Sequence, residues 1–265
     1  MDVNFIDGSI VLSNADNLDI ALSLDCGQAF RWVKCEDGCW QGVALGKHLK
    51  LKQEGTTVTF YNVSQEDFDS IWRVYFDLDR DYGSIIESYT DKSLIEACKT
   101  FPGIRILKQD EWEAICSFII SANNNIPRIK GIIERFCQCF GEKLEGGYAF
   151  PTAEKIAELT VEDLAPIRAG FRAKYIIDAA KKISSGEVDI EKVKALPFDE
   201  AKAELLKIKG VGEKVAQCAL LYGFARYEAF PVDVWVKRIL GELYPDGFPK
   251  EYYATQGIAQ QYLFH

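Results

Sequence analysis

No apolar run in the 265 residues reaches the ~18 that a membrane-crossing helix needs, which excludes a helical membrane span. The amino terminus, Met1-Asp2-Val3-Asn4, lacks the basic and apolar plan of a secretory signal, so the expected compartment is the cytoplasm of a bacterium or archaeon. Histidine is scarce, with only His48 and His265. The eight cysteines, at 26, 35, 39, 98, 116, 137, 139 and 218, lie mostly in apolar runs, unlike a disulfide-stapled secreted framework, and are expected to be reduced. Cys35-Glu-Asp-Gly-Cys39 and the Cys137/Cys139 pair lack the histidine partners that would complete a zinc site, so no metal centre is expected. No cysteine follows Cys218, which leaves the carboxyl-terminal part without ligands for an iron–sulfur cluster. Internal repeats, low-complexity tracts and Pro/Gly-rich linkers are also missing.

Basic residues are outnumbered, for a net charge of -9, but unevenly. Residues 1–92 hold 8 Lys+Arg against 16 Asp+Glu, and residues 93–265 hold 23 against 24. The acidic excess belongs to the first third, so the near-neutral remainder can present a local basic face to a polyanion. Hydrophobic residues at 48% and charged ones at 27% mark an ordinary globular chain with a full core.

From Gln28 to Asn62 apolar positions alternate between turns at Glu36-Asp37-Gly38, Gly46-Lys47 and Glu54-Gly55, which predicts an antiparallel meander. Beyond it the period becomes helical. Ser64 and Asp67 form a capping pair ahead of Phe68, Ile71, Trp72 and Tyr75 on one face. Trp112, Ile115, Cys116 and Ile119 make one helical stripe, and Ile129, Ile132, Ile133, Phe136 and Phe140 another. Between them Ser121-Ala-Asn-Asn-Asn-Ile-Pro127 cannot continue a helix. The fold expected is α+β: an antiparallel sheet domain over 1–100 packed on a mostly helical body over 101–265.

Residues 205–221 read as helix, Gly-Val-Gly turn, helix, the core of a helix-hairpin-helix over about 198–223. Gly210 and Gly212 permit positive φ and close approach, and amides at the start of the second helix can point at a phosphate. Lys207 and Lys209 add charge nearby. Lys214 stands in the first turn of that helix, where the dipole disfavours a cation. It reads either as a nucleophilic amine or as an exposed phosphate-binding lysine. Cys218 lies one turn further on the same face, as core or as a neighbour of the amine. Asp233, in Pro231-Val-Asp233-Val-Trp235, is placed to cap a new helix, and the same carboxylate could stabilise positive charge on a sugar.

Gly210-Val-Gly-Glu-Lys214 followed by Pro231-Val-Asp233 resembles the signature of helix-hairpin-helix base-excision DNA glycosylases, and most closely the 8-oxoguanine DNA glycosylase/lyase family. Four further stretches agree: Gly27-Gln-Ala-Phe-Arg-Trp32, Ser117-Phe-Ile-Ile-Ser-Ala-Asn123-Asn-Asn-Ile-Pro-Arg128, Gly170-Phe-Arg172-Ala-Lys-Tyr175 and Ala259-Gln260-Gln-Tyr-Leu-Phe264. The resemblance implies double-stranded DNA containing 8-oxoguanine as partner, no membrane, a monomer and no organic cofactor. It implies Lys214 as nucleophile on the sugar C1′, Asp233 as its activator, and a Schiff base that goes on to β-elimination. Gly27 would accept the N7 proton of 8-oxoguanine, Cys218 and Phe264 would sandwich the flipped base, and Gln260 would read its edge. Asn123, Arg128 and Arg172 would hold the orphaned cytosine, with Phe171 as wedge. A structural K⁺ or Na⁺ on the hairpin carbonyls is compatible with it.

The sequence departs from the family in several places. Phe171 stands for a tyrosine, Trp235 for a histidine that would face the DNA phosphates, Tyr222 for a smaller residue of the base pocket, and Lys209 for the hairpin proline beside Val211. The last substitution is expected to add charge and loosen the turn. The sequence ends at His265 within an apolar helical pattern, leaving room for a further short stretch. Glycosylases for oxidised pyrimidines or for adenine carry the cluster cysteines absent here, those for alkylated bases lack the lysine, and a noncatalytic DNA-binding hairpin would not require Lys214 and Asp233 together.

Overall fold

The sheet begins earlier than the meander. The computed structural model describes all 265 residues, and its first element is a hairpin of β1 (Asp2–Ile6) and β2 (Ser9–Ser13). Asp7 and Gly8 both take positive φ, 47° and 75°, the conformation an Asp-Gly two-residue turn selects. The strands β3 (Trp32–Lys34), β4 (Trp40–Ala44), β5 (Lys47–Glu54) and β6 (Thr57–Tyr61) follow, and the six-stranded order is β1-β2-β6-β5-β4-β3. The reading from Gln28 onward therefore omits two strands. β2 pairs antiparallel with β6, Leu12 opposite Val58, so the hairpin extends the meander at its far edge.

Two compact units make up the chain: Met1–Gly42, Leu49–Lys108 and Tyr227–His265 form one, Val43–His48 and Gln109–Arg226 the other. This corrects the division into 1–100 and 101–265, because the chain after Arg226 returns to the first unit. Tyrosines tie it there. The hydroxyl of Tyr227 donates to Asp77 (2.8 Å), that of Tyr244 to Asp91 (2.7 Å) and that of Tyr262 to the Ile104 carbonyl (2.9 Å), while the Tyr252 hydroxyl accepts the Thr90 amide (2.9 Å). Nothing in the period of residues 227–265 distinguishes these hydroxyls from ordinary core tyrosines. The same unit holds a cluster of Trp32, Trp72, Tyr75 and Phe76, with the Trp32 indole donating to the Tyr75 hydroxyl (2.8 Å). Ser64 caps its helix through the Asp67 amide as expected, but the turn widens to a π-helix over Phe68–Trp72.

In the second unit the helix Glu111–Ser121 is buried on nearly every side, not along the single stripe expected, because it packs against both Ala173–Ser184 and Glu213–Tyr222. The helical reading of this region also misses a short antiparallel pair, Lys143–Leu144 with Gly147–Tyr148. The break after Ser121 uses each asparagine differently. Asn123 takes a left-handed φ of 49°, Asn124 donates its side-chain amide to the Ile120 carbonyl (3.0 Å), and Asn125 caps the helix Ile126–Phe140 by accepting the Arg128 amide (3.0 Å). Five thiols, Cys39, Cys98, Cys116, Cys137 and Cys218, are buried, and Cys139 is exposed. No helix is long and apolar enough to cross a membrane.

Candidate active site

The hairpin joins Phe198–Leu205 to Glu213–Tyr222. Leu205, Ile208, Val211 and Val215 are buried and hold it on the second unit. Gly210 is obligatory on two counts: its φ is +83°, and a Cβ there would lie 2.4 Å from the Tyr175 ring. Gly212 is different. Its φ of -97° is extended and a Cβ would meet open space, so neither positive φ nor close approach explains it. It leaves the second helix without a side-chain cap, and the first-turn amides stay open to an outside acceptor.

Lysines crowd this hairpin, and their partners separate them. Lys202 pairs with Glu213 (2.8 Å), Lys207 with Glu204 (2.8 Å) and Lys209 with Asp178 (3.6 Å). Lys207 and Lys209 are therefore already compensated. Lys214 has no carboxylate. It is half-buried, with its Nζ 5.5 Å from the centroid of the Phe118 ring, and Phe118 stacks on Tyr222 at 5.2 Å and 20°. An amine held over a ring and paired with no anion is available to react. Tyr222 thus fills its position by stacking inside the unit, and Cys218 is buried on the same helix. Phe118 escapes the sequence reading because its contact crosses two helices distant in sequence.

The residues expected opposite the lesion come together in this unit. Arg172 is 2% exposed and grips the asparagine turn: its Nε donates to the Ala122 carbonyl (2.9 Å) and its Nη2 to that of Asn123 (2.8 Å). Burial, and then the charge of Arg128, lower its guanidinium pKa. Its plane lies over the half-exposed Phe171 ring at 4.5 Å. Arg128 is exposed, and its guanidinium is 4.0 Å from where a Cβ on Gly170 would stand. Arg172 is thus committed to shaping the turn, while Arg128 and Asn123 face outward. Arg172→Ala is expected to cost about 1–3 kcal/mol of stability by orphaning buried carbonyls, and Arg128→Ala close to none. Urea unfolding of both variants checks this.

The first unit carries the remaining residues. Asp233 caps Val234–Leu243 by accepting the Val236 amide at Oδ1 (2.8 Å), as its spacing predicts, and its other oxygen has no partner. Trp235 is 53% exposed with the Arg238 guanidinium 5.2 Å from its ring, beside exposed Val232 and Val234. An indole held this way offers an apolar face rather than a charge. Gly27 is half-buried at φ +81° and its carbonyl accepts no hydrogen bond. Burial pushes the adjacent Cys26 thiol up to about 12, so no thiolate competes there. Gln260, on the helix Gln256–Leu263, donates its amide to the Pro231 carbonyl and keeps its buried Oε1 without a partner. Such an orphan is costly unless a ligand supplies a donor. Phe264 is half-buried with its ring edge-on to Phe230 at 6.4 Å.

No group of three or more His, Cys, Asp or Glu side chains is arranged to hold a metal ion. On the hairpin turn the Lys207 carbonyl takes the Lys182 ammonium (2.5 Å) and the Ile208 carbonyl the Val211 amide (3.1 Å).

Residues 10–115 match the family model of the 8-oxoguanine DNA glycosylase N-terminal domain, and residues 116–255 that of the HhH-GPD superfamily of base excision DNA repair proteins. The Clostridium acetobutylicum 8-oxoguanine glycosylase/lyase, solved with double-stranded DNA containing cytosine opposite 8-oxoguanine, is 41% identical, with a TM-score of 0.93 over 100% of this chain and 96% of that one. A probable N-glycosylase/DNA lyase of Methanothermobacter thermautotrophicus is 31% identical over 76% of this chain and 74% of its own length. The N-glycosylase/DNA lyase of Saccharomyces cerevisiae is 31% identical over 85% of this chain and 68% of its own. The two family models follow one another through both the sheet and the hairpin, and the chain belongs to the 8-oxoguanine DNA glycosylases of the HhH-GPD superfamily.

Proposed function

We propose that this protein excises 8-oxoguanine from duplex DNA, preferring cytosine opposite, and then cleaves the strand as a lyase. The observation that carries the reading is Lys214, the hairpin lysine with a ring for a neighbour and no carboxylate. Its amine attacks C1′ as the bond to the base N9 breaks, and the proton that the nitrogen gives up on forming the new bond leaves with the base. The C1′–O4′ bond breaks to give a protonated imine while O4′ takes a proton from water, C2′ loses a proton, and the 3′ phosphate departs by β-elimination. Water then hydrolyses the imine and returns the amine. Asp233 opposes the positive charge that builds on the sugar; one carboxylate oxygen fixes the helix and the other is free for that task.

Base selection follows the same logic. The unpartnered Gly27 carbonyl supports recognition of the N7 proton that guanine lacks, since a guanine N7 there would oppose two acceptors. The orphan Oε1 of Gln260 supports an edge contact, and Cys218 and Phe264 supply apolar faces for a flipped base. Exposed Arg128 and the left-handed Asn123 support reading of cytosine, with Phe171 filling the vacated stack. Open first-turn amides of the hairpin suit a phosphate, and Trp235 suits a deoxyribose face.

The test is single-turnover base release from duplexes carrying 8-oxoguanine opposite each of the four bases, for wild type and Gln260→Ala. Cytosine should give the fastest release. Gln260→Ala should slow release by roughly tenfold, the worth of one good hydrogen bond, and leave cleavage of a preformed abasic site unchanged. Equal losses on both substrates would remove Gln260 from base recognition, and equal rates opposite all four bases would remove the cytosine preference.

A further inference from the structure

Three residues on one face of the Ala173–Ser184 helix address the hairpin turn in reverse order. Tyr175, Asp178 and Lys182 are spaced i, i+3 and i+7, which aligns them along the helix. Tyr175 lies under Gly210, closer than any Cβ would allow. Asp178 accepts the Lys209 amide at Oδ2 (2.8 Å), and Lys182 donates to the Lys207 carbonyl (2.5 Å). Asp178 and Lys182 are themselves an ion pair at 3.8 Å, with side chains only 14% and 18% exposed.

We propose that this ladder, with Asp178 as its central rung, is a positioning device that replaces the hairpin proline. A proline at 209 would fix φ and carry no amide hydrogen. Lysine there restores both the freedom and the donor, and Asp178 takes the donor while Lys182 holds the carbonyl two residues earlier. The turn is thereby stiffened rather than loosened, against the expectation from the substitution alone. Its consequence is that the amides of the second helix stay aimed at one point. Phosphate binding by that helix is part of the function proposed above, and the ladder's role in DNA affinity rests on it.

Charge and geometry predict opposite signs. Removing the Asp178 carboxylate frees a positive Lys209, which by charge alone would tighten binding to DNA. Loss of positioning would weaken it. The experiment measures affinity for an undamaged duplex, its salt dependence, melting temperature and single-turnover excision at saturating 8-oxoguanine duplex. It compares wild type, Asp178→Ala, Asp178→Asn, Lys209→Pro and the double variant Asp178→Ala/Lys209→Pro. Asp178→Ala should bind about tenfold more weakly. Asp178→Asn, which keeps an acceptor oxygen, should recover most of that loss. In the Lys209→Pro background Asp178→Ala should cost nothing further.

Tighter binding by Asp178→Ala, or the same loss in both backgrounds, overturns the proposal. A fall in melting temperature with unchanged affinity overturns it as well, and if Asp178→Ala fails to fold the Asn variant decides in the same terms. Wild type that binds duplex but releases no 8-oxoguanine would refute the proposed substrate while leaving the ladder testable by binding. Wild type that binds no duplex would overturn both.

Discussion

Asp233→Asn is expected to leave the Val234–Leu243 helix in place and to slow base release by about 10²–10³-fold, the loss typical of removing one preorganised electrostatic contact. Asparagine caps helices as well as aspartate does, so its side-chain oxygen can still accept the Val236 amide. What it removes is the charge on the second oxygen. Asp233→Ala removes both, and should add a stability loss of about 1 kcal/mol to the kinetic one. Melting curves and single-turnover rates on the two variants separate the roles: a rate for Asp233→Asn within a few-fold of wild type would leave Asp233 a cap and nothing more.

Lys214→Gln should abolish both base release and strand cleavage while duplex binding persists. Glutamine keeps most of the length and loses the nucleophile. No carboxylate is stranded by the change, because Lys214 has none, and the contact with Phe118 is worth only about 0.5–1 kcal/mol. The variant is therefore expected to be folded and competent to bind. Lys207→Gln makes the contrast. It removes one of the two lysine partners of Glu204 and leaves Lys192 (3.2 Å), and its effect should appear in binding and stability rather than in the chemistry. Strand cleavage retained by Lys214→Gln would mean that another amine reacts.

Local signals in the sequence are reliable where one segment determines its own conformation. The meander after Gln28, the Ser64 and Asp233 caps, the hairpin and the break at 121–127 all rest on period or on residues within four positions. The Asp7-Gly8 turn is such a signal too, although the alternation there is short and β1 is exposed throughout. Features that depend on distant partners are not legible in this way. The return of residues 227–265 to the first unit depends on tyrosine hydroxyls meeting Asp77, Asp91 and Ile104. Arg172 looks like a base reader and is committed to carbonyls fifty and forty-nine positions away. Asp178 looks like a surface carboxylate in a lysine-rich helix until its partner amide, thirty-one residues later, is placed. The two hairpin glycines look equivalent as a Gly-x-Gly motif, yet only Gly210 has a ring against it.

The most direct test of the central claim is to identify the atom that becomes bonded to DNA. Wild-type protein is mixed with a duplex carrying 8-oxoguanine opposite cytosine in the presence of borohydride, and the reduced adduct is digested and located by mass spectrometry. Reduction of the imine should leave the sugar on the Nζ of Lys214 and nowhere else. An adduct on the amino-terminal amine or on a different lysine, or 8-oxoguanine release with no adduct at all, would contradict the account.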